Sequence, residues 1–253
     1  GKIELALCQA DVARDAFAGE GTFAREPIPS LRAIANLFPE AVHVVVRGGG
    51  LRSIRELRGK RVSLGETNSG TLAAARLVLR AFDLRIGDVR PVYERLGRSV
   101  DMLIAGEIEA FFMVGGAPVA AISMAAERMP IALLPIAEAN AERIITLRPQ
   151  FTATTVDAGT YPGVPATPTV AVRAQLLVIA SLPDDLVFGI TRALWDPRNR
   201  KLLDTNPIAR RIQPEAAIDQ LSVPLHPGAR RYYAQSAAPP PGERPDVGLP
   251  IPD

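Results

Sequence analysis

Three features of the chain predict an α/β fold. Strand-like apolar runs alternate with helix-like segments, several strand tips end in glycine-rich turns, and apolar residues (47%) and charged residues (22%) stand in globular proportion. The alternation predicts mostly parallel sheet. Its 253 residues suit one large domain or two lobes of about 100–150 residues each.

The first strand is expected at Ile3–Cys8, with Gln9-Ala10-Asp11 at its tip and a helix from Val12 to Ala18 behind it. After the turn at Gly19–Gly21, Leu31–Asn36 predicts a short strand. Ala41–Arg47 is a β-branched run that stops at Gly48-Gly49-Gly50. A short helix over Ser53–Gly59 leads to a strand at Arg61–Gly65. In Thr71–Phe82, Leu72, Ala75, Leu79 and Phe82 recur at helical spacing. Val89–Tyr93 reads as a strand, Ser99–Ala105 as a helix ended by Gly106, and Ile108–Val114 as a buried strand stopping at Gly115-Gly116-Ala117-Pro118. Val119–Glu127 follows as a helix with Pro118 near its start. A strand at Ile131–Pro135, a helix at Ala137–Leu147 and a long extended stretch at Thr169–Ile179 come next. Pro183 opens a helix over Asp184–Trp195 that Pro197 stops; Asn199–Asp219 reads as surface helix, and Pro239-Pro240-Pro241 begins an extended or disordered tail.

The most informative segment is Arg61-Val-Ser-Leu-Gly-Glu-Thr-Asn-Ser-Gly-Thr71, a strand that enters a helix through a Gly/Asn/Ser turn. The first turn of a helix has N–H groups without intrahelical acceptors and carries partial positive charge, so a carboxylate or phosphate can sit there. Ser69 or Thr71 either caps the helix or offers a hydroxyl to ligand, and Gly70 permits close backbone approach. Open α/β sheets place ligands at the carboxyl ends of strands, which would bring Gly65, Val114 and Gln9 around one cleft.

Composition narrows the function. The net charge is +2 and the arginines are scattered without interleaved aromatics, which gives nucleic-acid binding little support. Cys8 is the single cysteine and reads as a buried strand thiol; His43 lies in an apolar strand and His226 between prolines, so no Cys/His constellation or metal cluster is evident. No apolar run reaches the roughly 18 residues of a membrane span, and the first residues lack a signal-peptide pattern.

Leu7-Cys8-Gln9-Ala10-Asp11-Val12-Ala13, Leu31–Leu37, Leu57-Arg58-Gly59-Lys60-Arg61-Val62-Ser63, Asn68-Ser69-Gly70-Thr71, Gly106–Phe112, Gly159-Thr160-Tyr161, Thr169–Val172 and Pro224–Tyr233 together resemble, in one register, the TAXI family of substrate-binding proteins of TRAP-type transporters. The resemblance implies a type II periplasmic-binding fold: two lobes, a central ligand cleft and hinge strands near Val45–Gly49 and Thr167–Val172. Residues 1–46 and 173–237 would form lobe 1, residues 47–172 lobe 2, and 238–253 the tail. Members begin with a secretion signal and a first strand with a ligand-contacting turn, so the chain reads as N-terminally truncated; the family's Gln-Ser-Asp stands here as Gln9-Ala10-Asp11.

The resemblance further implies a periplasmic receptor that takes a small organic anion, such as a glutamate- or glutamine-like amino acid, a dicarboxylate or a 2-oxo acid, and hands it to TRAP membrane permease subunits. No cofactor or catalysis is expected. Expected ligand contacts are Gln9, Asn68, Ser69, Gly70 and Thr71, the turn Gly116-Ala117-Pro118 through its backbone N–H groups, which Gly116 and Ala117 carry (a strand end being the alternative there), Arg47 as a carboxylate clamp or an interlobe ion pair, and Tyr161 as a closing aromatic or packing anchor. Competing expectations are a sensory effector module and, with less support, an enzyme of thiamine-pyrimidine synthase type.

Overall fold

The computed structural model describes residues 4–237; the expected tail, 238–253, lies outside the described residues, as do residues 1–3. In chain order the elements are β1 (Leu5–Gln9), α1 (Ala10–Ala18), β2 (Leu31–Arg47), β3 (Arg61–Ser63), α2 (Gly70–Ala81), β4 (Arg90–Val92), α3 (Leu96–Ala105), β5 (Ala110–Gly115), α4 (Ala120–Arg128), β6 (Ile131–Leu133), α5 (Glu138–Leu147), β7 (Phe151–Val156), β8 (Thr167–Ile179), α6 (Asp184–Leu194), α7 (Pro197–Leu203) and α8 (Pro227–Ala237). Among the described residues no helix is long and apolar enough to cross a membrane.

The strands form one eight-stranded sheet in the order β1-β8-β2-β5-β3-β4, with β6 added to β2 and β7 to β8. The α/β class is as predicted, but the sheet is not mostly parallel: only β3 runs parallel to its neighbours β4 and β5, and the other pairs are antiparallel. The reason is the pair β2 and β8. The sequence predicts two strands, Leu31–Asn36 and Ala41–Arg47, where the structure has a single 17-residue strand that accommodates Pro39 at a register shift between Asn36 and Pro39. Proline removes a ladder donor, and an irregularity is where a strand interior tolerates that. β8 runs antiparallel to it, from Leu31 opposite Ile179 to Ala41 opposite Ala171, and both strands recruit antiparallel neighbours on their outer edges.

Buried apolar side chains gather in separate groups along this pair. Ile34, Ala35, Leu37, Ala174, Leu176 and Val178 pack with Val187, Ile212, Ala217 and Ala229. Beyond the register shift, Val42, Val44 and Val46 pack with Val62, Leu64, Leu72, Ala75, Val78 and Leu79, while Val45 on the opposite face packs with Leu103, Phe111, Ile122 and Tyr161. The expected apolar stripe of α2 is the face that buries. β7 and α8 were not anticipated, and Asn199–Asp219 holds only α7 and short 3-10 turns; Pro197 both stops α6 and opens α7, with Asp196 accepting the Arg198 N–H at 2.9 Å.

One polar network crosses the pair. Asn36 donates to the carbonyls of Ala216 (3.2 Å) and Asp219 (2.6 Å) and accepts from Gln175 Nε2 at 2.8 Å, and Ser222 donates to Gln175. Asn36 and Gln175 are fully buried, so each bond lost strands a desolvated partner. Asn36→Ala should lower unfolding free energy by about 2–3 kcal/mol in urea denaturation, with the slope unchanged.

Candidate functional site

The tip of β1, the middle of β2 and the first turn of α2 border an open cleft of about 280 Å³ lined by Leu7, Cys8, Gln9, Val12, Phe38, Glu40, Ser69, Gly70, Thr71 and Ala174. Phe38 and Glu40 also border a second, more apolar space of about 520 Å³, formed by the tip of β5 and start of α4 (Met113–Gly116, Pro118–Ala120, Ser123) and by Asn206-Pro207-Ile208. The shared pair makes the two spaces neighbouring parts of one cleft.

Each wall has a local cause. Leu64 follows β3, and Gly65 turns the chain at φ +85°; a Cβ there would meet Thr71 at 2.8 Å, so only glycine allows the turn to fold this tightly. Asn68 takes the left-handed conformation at φ 64°, and Ser69 caps α2 by accepting the Leu72 N–H at 3.1 Å. Among the described residues the N–H groups of Gly70 and Thr71 donate to no backbone carbonyl. They are the orphan donors of a helix start. Gln9 closes over them: its Oε1 lies against Gly70, where a Cβ would overlap it, and this oxygen is buried without a hydrogen-bond partner. The Thr71 hydroxyl accepts the Val114 N–H at 3.4 Å, tying the tip of β5 to the first turn of α2.

The electrostatics differ from what a simple anion trap requires. No arginine or lysine lines either space. Burial pushes the Glu40 carboxyl up to about 7, with nearby Asp11 adding to the rise and the Gln9 side chain opposing it. Asp11, at the start of α1, is pushed up to about 6, again mainly by burial, and one of its oxygens lacks a partner. The Cys8 thiol, half-buried and lining the cavity, is raised to about 11 by burial and by Asp11 and Glu40, so it stays protonated.

The sequence-predicted residues divide. Gln9, Ser69, Gly70 and Thr71 line the first space; Gly116 and Pro118 line the second, and Asn68 faces a small neighbouring hollow with Asp15, Thr22 and Arg76. Gly116 packs so closely on Ile208 that a Cβ would stand 2.6 Å from its Cγ2. Ala117 lines neither space. Arg47 is no clamp here: Nε donates to the Leu103 carbonyl at 3.2 Å, and Nη2 donates to the Leu103 and Ile104 carbonyls at 3.0 and 2.5 Å. A guanidinium complements the negative end of a helix, and here Nε and Nη2 are engaged at the C-terminus of α3. Tyr161 is the packing anchor and not the closing aromatic: it is fully buried, its hydroxyl accepts the Val119 N–H at 3.0 Å, and it lies 2.9 Å from His43 Nε2. Burial lowers His43 to about 4, leaving it neutral. His226 is structural, accepting the Gly228 N–H at 3.1 Å inside the first turn of α8.

Sequence reasoning missed Glu40 and Phe38. Both sit in the stretch between two predicted strands, and the signal that could have found them is a lone carboxylate beside Pro39 inside an otherwise apolar run.

The architecture is a mixed α/β sheet with a cleft beside its two long antiparallel strands. The chain matches the NMT1-like family over residues 1–236, and it belongs to that family. A solved structure from Bordetella bronchiseptica RB50 shares the fold at 16% identity, with 92% of this chain and 73% of the other covered and a TM-score of 0.51. The periplasmic aliphatic sulphonate binding protein SsuA from Escherichia coli aligns at 14% identity, 92% and 66% coverage and a TM-score of 0.48. A TctC solute binding protein from Polaromonas aligns at 15% identity, 87% and 68% coverage and a TM-score of 0.44. The chain thus spans about two thirds of the length of the Escherichia coli protein, 66%.

Two expectations test the site's construction. Gly70→Ala should force Gln9 off the helix start and abolish ligand binding while changing the melting temperature little, a separation read by calorimetry and circular dichroism. Glu40→Gln should act on stability through pH. A carboxyl raised in the folded state contributes stability that is complete below its unfolded value near 4.5 and is lost as pH rises through about 7. The variant should therefore match wild type near pH 4.5 and exceed it by about 1–3 kcal/mol at pH 8, measured by denaturant melts at both pH values.

Proposed function

We propose that the chain is the ligand-capturing part of an extracytoplasmic solute-binding receptor that holds a small organic anion in this cleft and delivers it, unchanged, to a TRAP-type permease. One observation carries the reading. Two orphan N–H groups at the start of α2, a partnerless amide oxygen on Gln9 and the half-buried carboxyl of Glu40 converge on a cleft sized for a small metabolite. A small carboxylate suits the helix start, where partial positive charge and free donors coincide. Family membership and the shared fold support the solute-binding class, and the TAXI resemblance supports the TRAP partner and the periplasmic location.

The halves on either side of the crossing strands, 1–46 with 173–237 and 47–172, are proposed as lobes that close on the ligand. Gly116 against Ile208 is then a contact made on closure, and β2 with β8 serves as the hinge. Binding without chemistry is favoured by the state of the reactive groups: Cys8 is held protonated, His43 is neutral and occupied by Tyr161, and His226 is enclosed by its own helix.

Titration calorimetry with glutamate, glutamine, 2-oxoglutarate and C4-dicarboxylates is the direct test, and saturable heat with at least one is expected. Silence with the whole set would remove the small-anion reading. With a ligand in hand, Thr71→Ala should weaken binding by about 1–3 kcal/mol, because the Val114 N–H loses its acceptor and the cleft wall loosens; unchanged affinity would place Thr71 outside the site.

A further inference from the structure

We infer that the cleft selects a zwitterion, with the start of α2 taking the carboxylate of a small ligand and Glu40 taking an ammonium on the same molecule. The inference rests on the solute-binding reading and narrows it. An anion site built for two carboxylates or for a 2-oxo acid needs donors at both ends. Here one end has the donors, the N–H groups of Gly70 and Thr71, and the other has an acceptor where the two parts of the cleft meet.

The surroundings of Glu40 leave it without a cation from the protein. From β1 it faces Cys8 and Gln9, and from α1 Asp11, whose charge adds to its own. α2 contributes Ser69, Gly70 and Thr71 and β8 contributes Ala174, none of them titratable; the β5 tip, α4 and Asn206-Pro207-Ile208 add no charged group to the shared wall. A carboxylate partly withdrawn from water with no cationic partner carries a desolvation cost, which its retained proton or a counter-ion relieves. An ammonium supplies that counter-ion and three donors, which also suit the partnerless Oε1 of Gln9 on the cleft wall. A ligand ketone or second carboxylate brings only acceptors, and meets Glu40 favourably only while that carboxyl holds its proton. Glu40 is therefore the residue that sets selectivity, and the selection depends on pH. Ionisation of Glu40, with Asp11 titrating in the same direction, strengthens ammonium binding between pH 5.5 and 8 and weakens binding of acceptor-only ligands.

The test uses matched pairs that differ only in ammonium against ketone: L-alanine and pyruvate, L-glutamate and 2-oxoglutarate, L-leucine and 4-methyl-2-oxopentanoate. In calorimetry at pH 8 the ammonium member of at least one pair should bind tenfold or more tightly than its partner. Glu40→Gln should erase that preference, and Glu40→Asp should keep part of it. On wild-type protein at pH 7, titrations in buffers of different ionisation enthalpy should show net proton release with the ammonium ligand, as Glu40 gives up its proton; this readout stands even if the variants fail to fold. Equal or tighter binding of the ketone member at pH 8, an undiminished preference in Glu40→Gln, or no proton release would overturn the inference and leave the solute-binding reading standing. If no member of any pair binds and C4-dicarboxylates are also silent, both fall.

Discussion

The antiparallel pairing of β2 with β8 is the constraint on which the rest of the molecule depends. These are the longest strands, and each runs between the separate groups of buried side chains. Their register decides which residues meet at the middle: with Glu40 opposite Val172 and Pro39 opposite Arg173, the irregular stretch between Asn36 and Pro39 sets Phe38 and Glu40 into the cleft while Asn36 turns to Gln175 and the carbonyls beyond it. A slip of one residue would exchange those faces. The buried Asn36–Gln175 bond opposes such a slip, because the two residues stand opposite each other only in this alignment.

Around that pair the site is assembled from ends. The tip of β1, the start of α2 and the tip of β5 are places where regular hydrogen bonding stops, and each leaves a polar group that something else must satisfy. Some are satisfied internally, as where Thr71 accepts from Val114 and Ser69 from Leu72. Others, at Gly70, Thr71 and Gln9, are left at the wall of the cleft. The one charged side chain that sequence reasoning offers for ligand is used elsewhere: Arg47 donates to the carbonyls at the end of α3. What remains in the cleft is backbone positive potential against side-chain negative potential, an arrangement that polarises the space from α2 toward Glu40.

Much of the fold was legible because it is local. The N-cap at Ser69, the left-handed glycines Gly19 and Gly106 that end α1 and α3, and the stripe of Leu72, Ala75 and Leu79 are encoded within one or two turns of chain. The sheet's direction was not legible. Alternating strands and helices predict parallel pairing, and only β3 with its neighbours obeys, since β2 and β8 meet across more than a hundred residues of chain. β7 escaped notice because its alternation, buried only at Phe151, partly at Thr154 and again at Val156, is weak. Tyr161 and Arg47 carry the residue types of ligand contacts, and only their partners, Val119 with His43 and the carbonyls of α3, assign them to structure.

The sequence by itself determined the α/β class, the helix start at Ser69-Gly70-Thr71 with its unpaired donors, and Gln9 at a strand tip, because these follow from neighbours a few residues apart. Only the tertiary structure decided that Glu40 would stand across from those donors, raised toward neutrality and shared between two parts of one cleft. Desolvation and the company of Asp11 are properties of packing, and no short stretch of sequence contains them.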